Sequence, residues 1–363
     1  MKAIIHAGGY KTGSTSIQKA LSRLEMPNHH YVEWRSPHHS PMLAMLFKTE
    51  PEKFQYFKVN GEKRAALLKE RVQVLEEIAE LCRTSSKEHL ILSSEMLTTK
   101  KNVDILENMA AFLKQNVTGT RAIFYARSPV TFMQSAFQQK VKHGRTDGLN
   151  LRVLWPHYQR EITRLDQAFG ADNVDVFKFD PASFPQNSAV HHFADVIGVE
   201  LGKQKINRVN DSLSLEALSL VFVQRQFGSG PHEGFAGAIQ RNKGFIETLQ
   251  AINENPVVFS ETLVSPMIDH HREMVNWLEA RIGTSMIDKP KSGEVLISNE
   301  QDLFDTALQQ RDALRGLIEA RLDKPGKLKR LGVSADQVTA FHARKATNMD
   351  SLVADLELLK ALT

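Results

Sequence analysis

The chain reads as an α/β fold, a parallel β-sheet flanked by helices with a mainly helical C-terminal part, and three observations predict it. Short apolar runs alternate with amphipathic helical stretches over the first two-thirds of the chain. The first apolar run leads through a glycine-rich turn straight into a helical pattern. Beyond Gly228 the strand signals thin out while helical spacing persists, which divides the chain into an α/β core over residues 1–228 and a mainly helical region over 229–363.

The elements follow in order. Ala3 to Ile5 form the first strand, and Ile17, Ala20, Leu21 and Leu24 recur at helical spacing after it. Residues 26–60, punctuated by Pro27, Pro37, Pro41 and Pro51, are expected to be irregular. Leu68, Val72, Leu75, Ile78 and Cys82 step by three or four and predict a helix from Glu62 to Cys82. Leu90 to Leu92 then form a buried strand ending at Ser93-Ser94-Glu95. A helix with Ile105, Leu106, Met109, Phe112 and Leu113 inward follows, then a strand over Ala122–Ala126. Pro129 suits the first position of the next helix, whose core face is Val130, Met133, Phe137 and Val141, with Ser135 on the other side. Further helices are expected around Ile162 to Phe169, over 191–197, and over 212–227 behind a serine cap. A strand is expected over 174–179, and in the last third helices over 261–281, 301–322 and 346–361.

The stretch His6-Ala-Gly-Gly-Tyr-Lys-Thr-Gly-Ser-Thr-Ser16 carries the chemistry. Glycines at 8, 9 and 13 let backbone amides approach a ligand closely, and the helix starting near Ser14 offers free N–H groups and a positive dipole end. Lys11 adds a full charge, so an anion is the natural guest. A Walker A loop places its lysine after the last glycine, whereas Lys11 precedes Gly13 by two residues. Three strands are each followed by a pointed residue: Lys11, Glu95 and Arg127. In an open parallel sheet these meet at the carboxyl edge.

Lys11-Thr12-Gly13-Ser14-Thr15-Ser16 after a strand and His-x-Gly resembles the 5′-phosphosulfate loop of sulfotransferases that use 3′-phosphoadenosine 5′-phosphosulfate (PAPS). Arg127-Ser-Pro129 with Ser135 eight residues after the arginine is similar to their 3′-phosphate segment. The resemblance covers about residues 1–225 and implies a P-loop-like sulfotransferase fold. It implies PAPS as co-substrate, bound by Lys11, Thr12, Gly13, Ser14, Thr15, Ser16, Arg127 and Ser135, with Lys11 also catalytic. Glu95 stands where several members carry a catalytic glutamate. The activity implied is transfer of the sulfuryl group to a hydroxyl acceptor, a carbohydrate among the candidates, with no metal required. Asn210 to Ala217 looks like a segment of bacterial members, and the Arg-Lys-Gly segment of the cytosolic animal enzymes is not evident. His6 and His39 stand in reserve as base or substrate contact. Two other readings stay open: a magnesium-dependent nucleotide kinase with a variant P-loop, and a non-catalytic nucleotide- or anion-binding protein.

Composition bounds these readings. At 363 residues and 42% hydrophobic content the chain can bury a sizeable core, and a formal charge of +4 implies no nucleic-acid partner. Cys82 is the sole cysteine, which excludes an intramolecular disulfide. No apolar run approaches the roughly 18 to 20 residues that span a bilayer, and a cytoplasmic location is the expectation. The paired histidines His29, His30, His38 and His39 are poorly placed to share an ion and are expected in loop or substrate-wall roles. Lys140, Lys142 and Arg145, and the run Lys324 to Arg330, are expected to be solvated cations.

Overall fold

A computed structural model describes residues 1–144, 146, 148–202, 212–232, 236–252, 255–290, 293–323, 328, 331–345 and 347–363. In chain order its elements begin β1 (Lys2–His6), α1 (Ser14–Leu21), β2 (His29–Tyr31), α2 (His39–Phe47), α3 (Gln55–Val59), α4 (Arg64–Thr84), β3 (His89–Ser93) and α5 (Val103–Asn116). They continue with β4 (Thr120–Ala126), α6 (Pro129–His143), α7 (Tyr158–Phe169), β5 (Val174–Lys178), α8 (Ala189–Ile197) and α9 (Leu215–Phe227). By contacts the chain forms two compact units, each discontinuous: Met1–Ser128, His157–Val209 and Glu273–Met286 make the first, and Pro129–Pro156, Asn210–Arg272 and Ile287–Thr363 the second. The sequence division at residue 228 is contiguous, whereas these units interleave.

The first unit holds the sheet. All its pairings are parallel, in the order β2-β3-β1-β4-β5. The chain leaves β1 toward one edge and later crosses to the other, so the carboxyl ends of β3, β1 and β4 form the switch point where open α/β sheets bind ligands. Alternation along the strands covers both faces. Ile4, Ile91, Ile123 and Tyr125 pack on one side with Ile17 and Leu21 of α1 and Phe193 and Ile197 of α8. Phe124 points the other way, its ring 6.1 Å from that of Tyr158 on α7.

Residues 26–60 are more ordered than expected, containing β2, α2 and α3. Pro41 punctuates the sequence yet sits at the third position of α2, where an N–H has no intrahelical acceptor and its loss costs nothing. The buried face of α4 is Leu67, Val74, Ile78 and Cys82, while Val72 is exposed. The predicted stripe was therefore right at its C-terminal end and rotated at its start. The helix expected over 261–281 is two, Glu261–His270 and Arg272–Ile282, broken where the His271 N–H is shared between Met267 O and Ile268 O. That expected over 301–322 is likewise two, Glu300–Gln309 and Arg311–Leu322.

In the second unit α9 is buried nearly all round, so it is a core helix rather than an amphipathic one. Its N-cap is Ser214, whose Oγ accepts from Ala217 N. Arg225, 2% exposed, donates to Val141 O at the end of α6 (3.2 Å) and to Asn242 Oδ1 (2.5 Å), and burial lowers its pKa to about 10. Replacing Arg225 with Met strands those acceptors in the interior, at about 1–3 kcal/mol each. Denaturant unfolding of Arg225→Met is expected to show a midpoint lowered accordingly, with an unchanged m-value; an unshifted midpoint would remove Arg225 as the tie among these helices.

Candidate functional site

The loop after β1 is built by close approach. Ala7 N–H donates to Ile123 O (3.0 Å), keeping the chain on the sheet one residue past the strand. A Cβ on Gly9 would stand 2.2 Å from the Tyr125 backbone oxygen, so that position admits no side chain, and one on Gly8 would stand 2.1 Å from Ser14 Oγ, which would have to turn away. Lys11 (φ 61°) and Gly13 (φ 78°) both take left-handed backbone. For Lys11 that conformation is strained, and the turn is held because Thr12 donates to Gly9 O from both Oγ1 (2.7 Å) and N (3.3 Å).

Helix α1 begins at Ser14 behind Gly13, which provides no side-chain cap. The Ser16 N–H donates to Gly13 O (2.9 Å), while among the described residues the amides of Ser14 and Thr15 have neither an intrahelical nor a capping acceptor. Ser14 Oγ is buried, 4% exposed overall, with no hydrogen-bond partner among the described residues. A buried hydroxyl left unsatisfied costs free energy that a ligand oxygen would recover. Of the remaining loop hydroxyls, Thr12 is committed to Gly9 O, Ser16 is half-buried and Thr15 is exposed.

Glu95 follows β3 by two residues in a turn fixed at Ser94. Ser94 N–H donates to His6 O (2.9 Å), and Ser94 Oγ accepts from Met96 N (3.3 Å) and pairs with Ser40 Oγ (2.8 Å). The Glu95 side chain is open to water but crowded by surrounding protein, and that crowding raises its pKa while the charge of Lys11 pulls it back. Glu95 in turn acts on Tyr10, whose phenol burial and this negative charge push up to about 12. Lys11, Tyr10 and Glu95 thus share one electrostatic neighbourhood.

Arg127 is the first residue beyond β4. Its Nη1 donates to Lys11 O (3.2 Å), its backbone N–H donates to Tyr158 Oη (3.1 Å), and its guanidinium lies 5.5 Å from the Phe179 ring. The structure therefore brings Lys11, Glu95 and Arg127 to one edge of the first unit. Ser135 is half-buried on α6, in the second unit. Glu161, one turn after Tyr158 on α7, is raised to about 7 by burial, against the pull of Arg160 and Arg164. No motif marks Tyr10 or Glu161; only packing reveals them.

Behind the loop lies a buried polar network. Ser93 N–H donates to His39 Nδ1 (3.0 Å), Gln18 Nε2 donates to Ser93 O (3.0 Å) and Oγ (3.2 Å), and Ser93 Oγ pairs with His6 Nδ1 (2.7 Å). Gln18 Oε1 pairs with His38 Nδ1 (2.5 Å). Burial lowers His6 and His39 to about 3, so both imidazoles are neutral, and in this structure each is a member of the network. His30 pairs with Ser85 and His29 stacks on His89, which places the four paired histidines in separate contacts.

No family model matches the chain, and no curated protein matches it. Among solved structures, a sulfotransferase from Alicyclobacillus acidocaldarius is similar at 14% identity and a TM-score of 0.34, over 67% of this chain and 95% of that one. Among the described residues no helix is long and apolar enough to cross a membrane, and no three His, Cys, Asp or Glu side chains gather so as to hold a metal. Arg145, Asn210, Asp211 and all of 324–330 except Leu328 lie outside the described residues.

The raised pKa of Glu95 has a thermodynamic sign. The folded state holds its proton more tightly than the unfolded state, so folding stability falls as pH rises through the unfolded and then the folded pKa. Glu95→Gln removes that penalty. Thermal unfolding is expected to find the variant at least as stable as the parent at neutral pH, with the difference vanishing below about pH 4. A variant less stable at neutral pH than at acid pH, relative to the parent, would contradict the assignment.

Proposed function

We propose that this protein is a sulfotransferase that moves the sulfuryl group of PAPS to a hydroxyl acceptor. The observation that carries the reading is the meeting of Lys11, Glu95 and Arg127 beyond three adjacent parallel strands, with Arg127 bonded to the backbone of the anion loop itself. The fit is supported from the protein side. Gly9 leaves no room for a side chain, the Ser14 and Thr15 amides at the head of α1 are uncapped, and Ser14 Oγ is a buried hydroxyl with no partner among the described residues. PAPS supplies a sulfuryl group on a phosphate leaving group, the chemistry the site would receive.

Each residue then has a task. The amides of α1 and the Lys11 ammonium hold negative charge and neutralise what develops on the leaving oxygen, as preorganised donors do without reorganising. Arg127 offers a planar fork that matches a phosphate and stays charged at any working pH. Glu95, open to water and with a raised pKa, takes the acceptor's proton, because a base is most effective when its pKa moves toward the working pH. We assign Ser135 to the 3′-phosphate on the strength of the motif alone. The kinase reading calls for a lysine beyond the last glycine and a metal-binding aspartate, and Lys11 lies before Gly13.

Purified protein with labelled PAPS and a panel of hydroxyl acceptors tests the reading. Glu95→Gln is expected to retain affinity for adenosine 3′,5′-bisphosphate while transfer falls by about 10²–10⁴-fold, the usual worth of a general base. Stabilisation by ATP with magnesium but not by the bisphosphate would favour the kinase instead. Arg127→Ala is expected to weaken the bisphosphate by about tenfold or more, as loss of a charge-assisted bond predicts, and adenosine 5′-phosphate much less. Calorimetric titration giving equal losses for the two ligands would remove the 3′-phosphate role.

A further inference from the structure

Hydrogen-bond polarity in the buried network fixes the state of His6. Gln18 must present its amide nitrogen to Ser93, because the Ser93 carbonyl (3.0 Å) can only accept. The same nitrogen lies 3.2 Å from Ser93 Oγ, which therefore accepts there and has its own hydrogen to give. Among the described residues the other partner of Ser93 Oγ is His6 Nδ1, at 2.7 Å, so the hydroxyl hydrogen is satisfied only if His6 Nδ1 accepts it. An imidazole accepting at Nδ1 carries its proton on Nε2. His6 is wholly buried and is held neutral, its pKa lowered to about 3 by desolvation, so this N–H is a fixed uncharged donor.

That donor has no partner among the described residues. The Cε1 atom, which neighbours Nε2 in the ring, lies 3.3 Å from the position a Cβ would take on Gly8, and the unpartnered Ser14 Oγ flanks the same position at 2.1 Å. The unpartnered Ser14 Oγ and the His6 ring carbon next to the unpartnered Nε2 thus border one glycine of the anion loop. Unsatisfied buried donors are rare enough that a pair at one point marks a place for an outside oxygen.

We propose that His6, locked as the Nε2–H tautomer by Gln18 through Ser93, joins Ser14 as a neutral hydrogen-bond donor to an oxygen of the anion held by the loop. The inference rests on the anion-binding reading of this loop and adds a donor that carries no charge. A neutral donor stabilises an anion without offering it a proton, so it leaves the charge balance to Lys11 and Arg127. Gln18, which touches no ligand in this account, is a positioning residue acting through Ser93.

The test has two parts. Long-range ¹H–¹⁵N spectra of ¹⁵N-histidine-labelled protein are expected to show His6 as the Nε2–H tautomer, with that resonance displaced on adding adenosine 3′,5′-bisphosphate. An Nδ1–H tautomer overturns the proposal even without ligand. In calorimetry His6→Gln, which keeps a donor, is expected to bind the bisphosphate within about threefold of the parent, and His6→Phe about tenfold or more weakly. Parental affinity in His6→Phe, or a resonance unmoved by bound bisphosphate, overturns the His6 role and leaves the loop's function standing. Absence of binding of both the bisphosphate and inorganic phosphate to the parent overturns the two readings together.

Discussion

Ser93 is the point on which the site depends. It is wholly buried at the carboxyl end of β3, and a buried polar residue must be satisfied within the protein. Its three polar groups reach three different segments. The N–H binds His39 at the start of α2, the carbonyl and hydroxyl bind Gln18 on α1, and the hydroxyl also binds His6 at the end of β1. One small residue thereby fixes the helix that follows the glycine-rich loop relative to the strand that delivers Glu95. The register His6 opposite Ser93 supplies the same alignment through the backbone, so strand pairing and side-chain network enforce one geometry.

Rigidity of this kind matters because the loop above it stores strain. Lys11 in left-handed backbone costs on the order of 1–3 kcal/mol, which the fold must offset elsewhere. The doubled bond from Thr12 to Gly9 O and the seating of Gly9 on Tyr125 O are the contacts that do so. In return the Lys11 carbonyl is turned to Arg127, and the Lys11 charge is felt by Glu95. A lysine placed after the last glycine would belong to the helix instead. Its position before Gly13 is what links the loop to both neighbouring strands.

Much of this was legible in the residues. The order of strands and helices, the glycine turn, Pro129 as first residue of α6 and the core face Val130, Met133, Phe137 and Val141 all appear as read. These signals are local, set by spacing and by backbone permissiveness. What escaped was non-local. β2 is three residues long and is a strand only because β3 lies beside it. The breaks at His271 and Gln310 fall inside unbroken apolar spacing, and α4 turned its stripe because its packing partners chose Leu67 and Val74 over Val72. Histidines that looked available for chemistry proved to be buried, neutral and bonded, a state that composition cannot reveal.

The same distinction explains why the carboxylate and the histidines part company. His6 and His39 lose their charge because desolvation outweighs any nearby support, including the Val32 backbone beside His39, whereas Glu95 keeps contact with water and with Lys11. A group that must gain and lose a proton during turnover needs both states within reach at working pH. Two imidazoles lowered to about 3 stay neutral there and do not alternate between charged and neutral forms. Glu95 sits between the extremes, raised by its surroundings yet accessible. The difference follows from depth: the deepest polar groups are bonded into the framework, and the carboxylate at the rim keeps its contact with water.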